Sequence, residues 1–125
     1  MKGERQMLNA LDMALEAVKV LDTKKGQKIK LLETKDITVL AEYFIICTAN
    51  TTSHIKTLSD EVQRRLDELG EPVIRTEGLR SGGWVIVDYG CVVIHLFLKE
   101  TREFYSLERL WSDAPEIDLS KIVTE

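Results

Sequence analysis

The chain has 125 residues, of which 44% are hydrophobic and 30% charged, and its formal net charge is −4. That length suits one domain with one core, and the composition excludes an intrinsically disordered chain. The acidic balance argues against a domain that holds nucleic acid by neutralising phosphates, so we expect no direct specific nucleic-acid binding.

The termini and the cysteines indicate the compartment. No apolar run approaches the roughly 20 residues that cross a bilayer. The N-terminal stretch MKGERQMLNALDMALEAV has scattered acidic residues and no continuous apolar core, unlike a signal or transit peptide. Cys47 and Cys91 lie beside apolar residues with no Cys-x-x-Cys motif, which favours reduced thiols over a disulfide or a metal site. We therefore expect a cytoplasmic protein with no membrane partner, metal or cofactor.

The first half of the chain predicts a helix, two strands and a second helix. The first helix should end near Lys24-Lys25-Gly26, where glycine suits a left-handed cap. KIKLLE alternates charged and apolar residues as a half-exposed strand does, whereas YFIICT is apolar on both faces and indicates an interior strand. Thr52 or Ser53 can cap the second helix, which should end at Gly70 and Pro72. The buried stripes of the two helices are Leu8, Leu11, Leu15 and Val18, and Ile55, Leu58, Val62, Leu66 and Leu69.

The second half predicts three strands and a last helix. PVIRT is a short strand, TEGLRSGG is a flexible connector, and Gly90-Cys91 joins WVIVDY to VVIHLFL in a tight antiparallel hairpin. The second and third strands flank a helix, which permits a right-handed parallel crossover between them. We expect one α/β domain over residues 1–125, with a mixed five-stranded sheet and flanking helices.

The hairpin places an acid and an imidazole on one sheet face. Asp88 should lie opposite Val93, which makes Asp88 and His95 diagonal neighbours, about 7–8 Å apart at the backbone. That spacing would let Asp88 fix the tautomer of His95. Two interpretations stay open: a histidine hydrogen-bonded within the sheet face, or an interaction surface anchored by Trp84, His95 and Phe97.

Enzymatic interpretations have weaker support. Ser81 is the hydroxyl nearest to the hairpin, but it lies in a loose connector rather than in a Gly-x-Ser-x-Gly elbow. Ser81-Gly82-Gly83 before a strand that carries Asp88 is faintly similar to nucleotidyltransferase active sites. The second metal-binding acid of those sites is missing, because Gly90 lies two residues after Asp88. We therefore expect no catalytic residues.

The last helix is predicted to run from Thr101 to Trp111. Its spacing assigns Phe104, Leu107 and Leu110 to the core and Arg109 to solvent. Tyr105 falls outside the apolar stripe, so an exposed aromatic ring beside Arg102 is a candidate for an interface.

At this point the residues indicate a family. GWVIVDYG, VVIHLF and REFYSLERLW, in that order, closely resemble the C-terminal signature of the ribosome silencing factors, also called the Iojap family. ITVLAEYFIICTANTTSHIKTLSDEV resembles the second strand and second helix of that family. The family core would cover about residues 6–115.

The resemblance implies a fold related to nucleotidyltransferases without their activity. It implies binding to protein fourteen of the large ribosomal subunit, on the face where the small subunit docks. Occupying that face blocks subunit joining and represses translation when nutrients fall or growth becomes stationary. The resemblance also implies a homodimer in isolation.

The family motif maps onto the hairpin and the last helix. It implies partner-binding roles, on residues of this sequence, for Trp84, Asp88, Tyr89, His95, Arg102, Tyr105, Leu107, Glu108 and Trp111, with Gly90 at the hairpin. Two departures matter: Cys91 stands where the family usually has an acid, and ANTTS replaces the more usual Thr-Gly-x-Ser-Ser. A metal-dependent nucleotidyltransferase and a homo-oligomeric scaffold without a ribosomal role remain the alternatives.

Overall fold

The computed structural model describes residues 8–123. The predicted start of the family core, and residues 1–7 of the N-terminal stretch discussed above, lie outside that range. The elements within it are α1 Ala10–Thr23, β1 Gln27–Glu33, β2 Tyr43–Ala49, α2 Thr52–Glu68, β3 Arg75–Glu77, β4 Trp84–Asp88, β5 Val92–Leu98, α3 Lys99–Tyr105 and α4 Leu107–Leu110.

The strands form one mixed five-stranded sheet, as predicted, and their order is β1-β2-β5-β4-β3. β2 runs parallel to β5, and the other neighbouring pairs are antiparallel. The parallel crossover that the sequence permits between the second and third strands does not form, because β3 lies at the far edge and pairs with β4. β2 and β5 are the long, nearly all-apolar strands, so burying both faces of each at the centre removes the most apolar surface from water.

Helices α1 and α2 lie side by side on one face of the sheet. The residue predicted to cap α2 and the left-handed residue predicted after α1 are each displaced by one position. Thr51 caps α2, with its side chain accepting from the His54 amide, and Lys25 rather than Gly26 takes the left-handed conformation at φ 73°. Gly26 is required for packing, because a Cβ there would lie 2.5 Å from the Cys47 sulfur.

The opposite face is only partly covered. Helices α3 and α4 lie over it, and Leu107 of α4 and Trp111, which directly follows α4, belong to an apolar cluster with Phe44 and Phe97. The segment after α4 then runs along the outer edge of β1, where the Glu33 amide donates to the Pro115 carbonyl at 2.8 Å. The β4 side of this face stays open, and the predicted site residues of β4 lie there. None of the helices between residues 8 and 123 is both long and apolar enough to span a bilayer.

Candidate partner-binding surface

The hairpin has the register that the sequence predicts. Trp84 pairs with Phe97, Ile86 with His95 and Asp88 with Val93, so these side chains share the open face of the sheet. Gly90 turns the chain at φ 83°, and the Tyr89 amide donates to the Val92 carbonyl at 2.9 Å. The turn therefore places the side chains of Trp84 and His95 next to each other.

Six aromatic rings meet on this face, and we name them the aromatic cluster. The Trp84 ring lies 4.9 Å from Phe97 and 5.0 Å from Tyr105 between centroids. Phe44 lies edge-on to His95 at 5.0 Å and to Trp111 at 5.2 Å. Rings at these distances and tilts attract one another beyond the burial of their area. The cluster thus fastens the last two helices to the sheet at two points. Its members are Phe44, Trp84, His95, Phe97, Tyr105 and Trp111.

His95 lies at the centre of the aromatic cluster and is buried. The indole Nε1 of Trp84 donates to His95 Nδ1 at 3.1 Å. An accepting Nδ1 in a neutral ring requires the proton on Nε2. That Nε2 is buried and has no hydrogen-bond partner among the described residues. Burial lowers the pKa of His95 to about 4, although the charge of Asp88 acts in the opposite direction. The imidazole is therefore neutral at physiological pH.

The prediction that Asp88 fixes the tautomer of His95 is wrong. One carboxylate oxygen of Asp88 accepts from the Gly90 amide at 2.7 Å, and the other pairs with Arg75 at 3.2 Å. The carboxylate is short enough to bond to its own turn, and this local contact wins over the diagonal one. Trp84 orients His95 instead. Asp88 braces the hairpin and joins it to β3.

Tyr89 faces the other side of the sheet. Its ring is buried in the core beneath α1 and α2, and its hydroxyl has no hydrogen-bond partner among the described residues. Burial, followed by the nearby charge of Asp67, raises the pKa of Tyr89. The side chain is therefore part of the core and is not presented on the open face.

Arg102 is buried, whereas the ring of Tyr105 beside it is exposed, as predicted. The Nε of Arg102 and one terminal nitrogen donate to Glu108 at 3.1 and 3.0 Å. The other terminal nitrogen donates to the Thr48 hydroxyl and the Lys28 carbonyl, each at 2.8 Å. Arg102 thus fastens α3 to α4 and both to the ends of β1 and β2.

The predicted last helix is broken in two. Ser106 adopts the left-handed conformation at φ 46° between α3 and α4. The break rotates the second segment relative to the first. Leu107 is buried as predicted and Arg109 is exposed as predicted, but the core positions predicted for Phe104 and Leu110 are wrong. Those side chains are 79% and 76% exposed.

The exposed rings form a groove beside the aromatic cluster. Trp84, Phe104 and Tyr105 line an open depression of about 580 Å³, which we call the Trp84 groove. Phe104 meets Tyr105 edge-on at 5.0 Å, and Tyr105 in turn contacts Trp84. The sequence predicted Trp84 and Tyr105 here but not Phe104. The Trp84 groove is completed by Ser81, Gly83, Glu100 and Thr101.

The candidates for catalysis or metal binding on the open face have other roles within residues 8–123. The Ser81 hydroxyl donates to the Gly78 carbonyl at 3.2 Å within its own connector. In residues 8–123, no three His, Cys, Asp or Glu side chains converge as metal ligands. Cys47 and Cys91 are not joined in a disulfide. The chemistry available at the Trp84 groove is contact through aromatic rings.

Comparison with known proteins identifies the family. The RsfS family, described as ribosomal silencing factor during starvation, matches residues 7–125. The chain belongs to this family. Ribosomal silencing factors from Bacillus subtilis and Halalkalibacterium halodurans are 39% and 35% identical over 103 and 108 residues. These alignments cover 82% and 86% of this chain and 87% and 92% of the relatives. The family resemblance seen in the sequence is confirmed.

A crystal structure confirms the fold of the family in this chain. A protein from Chromobacterium violaceum aligns with a TM-score of 0.82 and 34% identity, over 84% of this chain and 88% of its own. Within this fold, the family motif serves two purposes. Tyr89, Arg102 and Leu107 are buried and hold the structure together, whereas Trp84 and Tyr105 line an open groove. Trp111 is partly buried against Phe44, and Glu108 holds Arg102.

Proposed function

We propose that this chain binds protein fourteen of the large ribosomal subunit and thereby blocks the small subunit from joining, repressing translation when nutrients are limiting or growth is stationary. The family consists of ribosomal silencing factors, and membership in it supports a regulatory role at the ribosome. The observation that supports binding by contact is the Trp84 groove. It combines exposed aromatic rings with a rigid base.

The rings of the Trp84 groove suit an interface. Tyr105 is 52% exposed and Phe104 79% exposed, so both have area left to bury against a partner. Trp84 is held from below by Phe97 and by its hydrogen bond to His95. A ring that is already fixed loses little entropy on binding, and aromatic anchors dominate binding energy at the centres of interfaces.

Charge supports a basic partner. The chain carries a net charge of −4, and Glu100 lies in the lining of the Trp84 groove. Opposite charge at the rim of an interface speeds encounter and selects the partner, while buried aromatic contacts supply most of the affinity.

The proposed mechanism makes and breaks no covalent bond. Asp88 is engaged by Arg75 and the hairpin amide, and His95 Nδ1 is engaged by Trp84, so the acid and the imidazole do not form a working pair. Inhibition by exclusion needs only a specific complex. Burial of about 800 Å² on each partner is enough for one.

The decisive experiment is sedimentation of purified ribosomal subunits through a sucrose gradient. With the protein present, we expect it to co-sediment with large subunits and the fraction of joined ribosomes to fall. Co-sedimentation with small subunits alone would count against the proposal, as would unchanged joining at a large molar excess of protein. Binding to isolated protein fourteen, measured separately, tests the partner.

Point variants test the Trp84 groove. Trp84→Ala should weaken binding to the large subunit by about 2 kcal/mol, as loss of a central anchor does. Trp84 also supports His95, so Tyr105→Ala and Phe104→Ala provide the cleaner test, because neither removes a hydrogen bond among residues 8–123. Ile74→Ala is the matched control, since Ile74 is 63% exposed and outside the groove lining. Full binding by folded Tyr105→Ala and Phe104→Ala would move the interface elsewhere.

The homodimer and the cytoplasmic location belong to the same proposal. The family resemblance supports both, and ribosome binding requires the protein to be where ribosomes are. Light scattering at the concentrations of the binding assay should give twice the chain mass of 14.3 kDa. A mass of one chain across that range would remove the dimer from the proposal and leave ribosome binding intact.

A further inference from the structure

A second cavity lies between the edge of the sheet and the last two helices, away from the Trp84 groove. Its volume is about 530 Å³, and it shares no lining residue with the groove. Small-molecule sites occupy roughly 300–1,000 Å³ in proteins, so the volume suits a small ligand. The lining consists of Gln27, Lys28, Lys30, Thr48, Lys99, Arg102, Glu103, Ser106, Glu108 and Arg109.

This cavity is cationic in an acidic protein. Five of its lining residues are lysine or arginine and two are glutamate, whereas the chain as a whole has a net charge of −4. Glu108 is already paired with Arg102. Lys30, Lys99 and Arg109 have neither an ion pair nor a side-chain hydrogen bond within residues 8–123. Their charge is available to a ligand.

The position in the fold also favours a ligand. Thr48 lies near the carboxyl end of β2, and Lys99 directly follows β5, its parallel neighbour. Open α/β sheets bind ligands beyond the carboxyl ends of their parallel strands.

The backbone around the cavity is held in unusual conformations. Three non-glycine residues in the described range have positive φ, and two of them, Lys28 at 53° and Ser106 at 46°, line this cavity. Lys28 forms a bulge in β1, and bulges are frequent beside functional sites. Arg102 stabilises the backbone conformations of Lys28 and Ser106. Its guanidinium donates to the Lys28 carbonyl at 2.8 Å, and its own carbonyl accepts from the Ser106 amide at 2.9 Å.

We propose that this cavity binds a small ligand bearing two or more phosphate groups, such as a nucleoside triphosphate. Lys30, Lys99 and Arg109 would neutralise the phosphates, and the ion pair of buried Arg102 with partly exposed Glu108 keeps the wall of the cavity in place. Arginine and lysine are the side chains that proteins use for phosphate, through charge-assisted hydrogen bonds. The proposal does not depend on ribosome binding.

Calorimetric titration of the full chain tests the proposed phosphate binding. The titrants are inorganic tripolyphosphate and a nucleoside triphosphate, in low salt without divalent cations. We expect saturable binding of both that weakens as salt is added. Lys30→Gln combined with Lys99→Gln should weaken binding at least about tenfold, as loss of charge-assisted hydrogen bonds does. Lys121→Gln is the matched control, because Lys121 is exposed and outside the cavity lining.

The outcomes separate the sources of phosphate. Tighter binding of the nucleotide than of tripolyphosphate supports a nucleotide, and equal binding supports the phosphates alone. No heat with either compound would overturn the proposal, as would equal loss in the control variant. Binding of a short RNA duplex without tripolyphosphate binding would also overturn it, because the site would then be a surface for a nucleic-acid backbone.

Discussion

Replacing Arg102 with alanine should lower the free energy of unfolding by about 3 kcal/mol, because it leaves the buried Thr48 hydroxyl and the partly buried Lys28 carbonyl without a donor. The Thr48 hydroxyl and the Lys28 carbonyl both lose their bond to the guanidinium. Glu108 loses its cation, but its side chain is 30% exposed and can turn towards water. That freedom keeps the expected cost at the lower end of the range for broken buried ion pairs.

Urea unfolding followed by circular dichroism measures this change. Arg109→Ala is the matched control, because Arg109 is an exposed arginine of α4 with no ion pair in the described part of the chain. Exposed replacements of this kind usually change stability by less than about 0.5 kcal/mol. Arg102→Lys keeps the charge but loses the fork of donors, so it should fall between the two. Equal stability of Arg102→Ala and Arg109→Ala would contradict the role given to Arg102.

The hairpin and the central strands could be predicted because their signals are local. Alternation of side chains in WVIVDY and VVIHLFL, with Gly90 between them, fixes the register of Asp88 opposite Val93. YFIICT is apolar on both faces, which only an interior strand satisfies. In each case neighbouring residues along the chain determine the outcome, because the strands are only five to seven residues long.

The last helix could not be predicted because its shape depends on distant residues. REFYSLERLW has helical spacing throughout, and serine is tolerated within helices. The break at Ser106 accompanies contacts from Arg102 to Glu108 and to the Lys28 carbonyl, 74 residues away in sequence. No local pattern reports such a contact. For the same reason no local pattern indicated the cationic cavity, because its lining comes from β1, β2 and the segment that holds α3 and α4.

Asp88 illustrates a competition that sequence reasoning misjudged. Register correctly placed the carboxylate on the same face as His95. Register does not decide which of several partners a short side chain takes. The Asp88 carboxylate instead accepts from the Gly90 amide at 2.7 Å and pairs with the Arg75 guanidinium at 3.2 Å. A hydrogen bond expected between side chains on neighbouring strands can therefore be judged only when the other polar groups near each side chain are known.

His95 should make the protein lose stability as pH falls from about 6.5 towards 4. Burial lowers its pKa from an ordinary 6.5 to about 4, so between these values the unfolded chain binds a proton that the folded chain does not. Stability from this group is fully present above about pH 6.5 and declines as pH falls towards the folded pKa. A difference of about 2.5 pKa units corresponds to a loss of about 3 kcal/mol.

Comparison of the wild-type chain with His95→Gln isolates this effect. Glutamine keeps an acceptor for the Trp84 indole and does not titrate. Any packing defect that it causes shifts the whole curve by an amount that does not depend on pH. Subtracting the two unfolding free energies at each pH from 4 to 7 should therefore give a difference that changes by about 3 kcal/mol. Parallel curves would mean that protonated His95 is accommodated in the folded state, and that the aromatic cluster opens far enough to admit water.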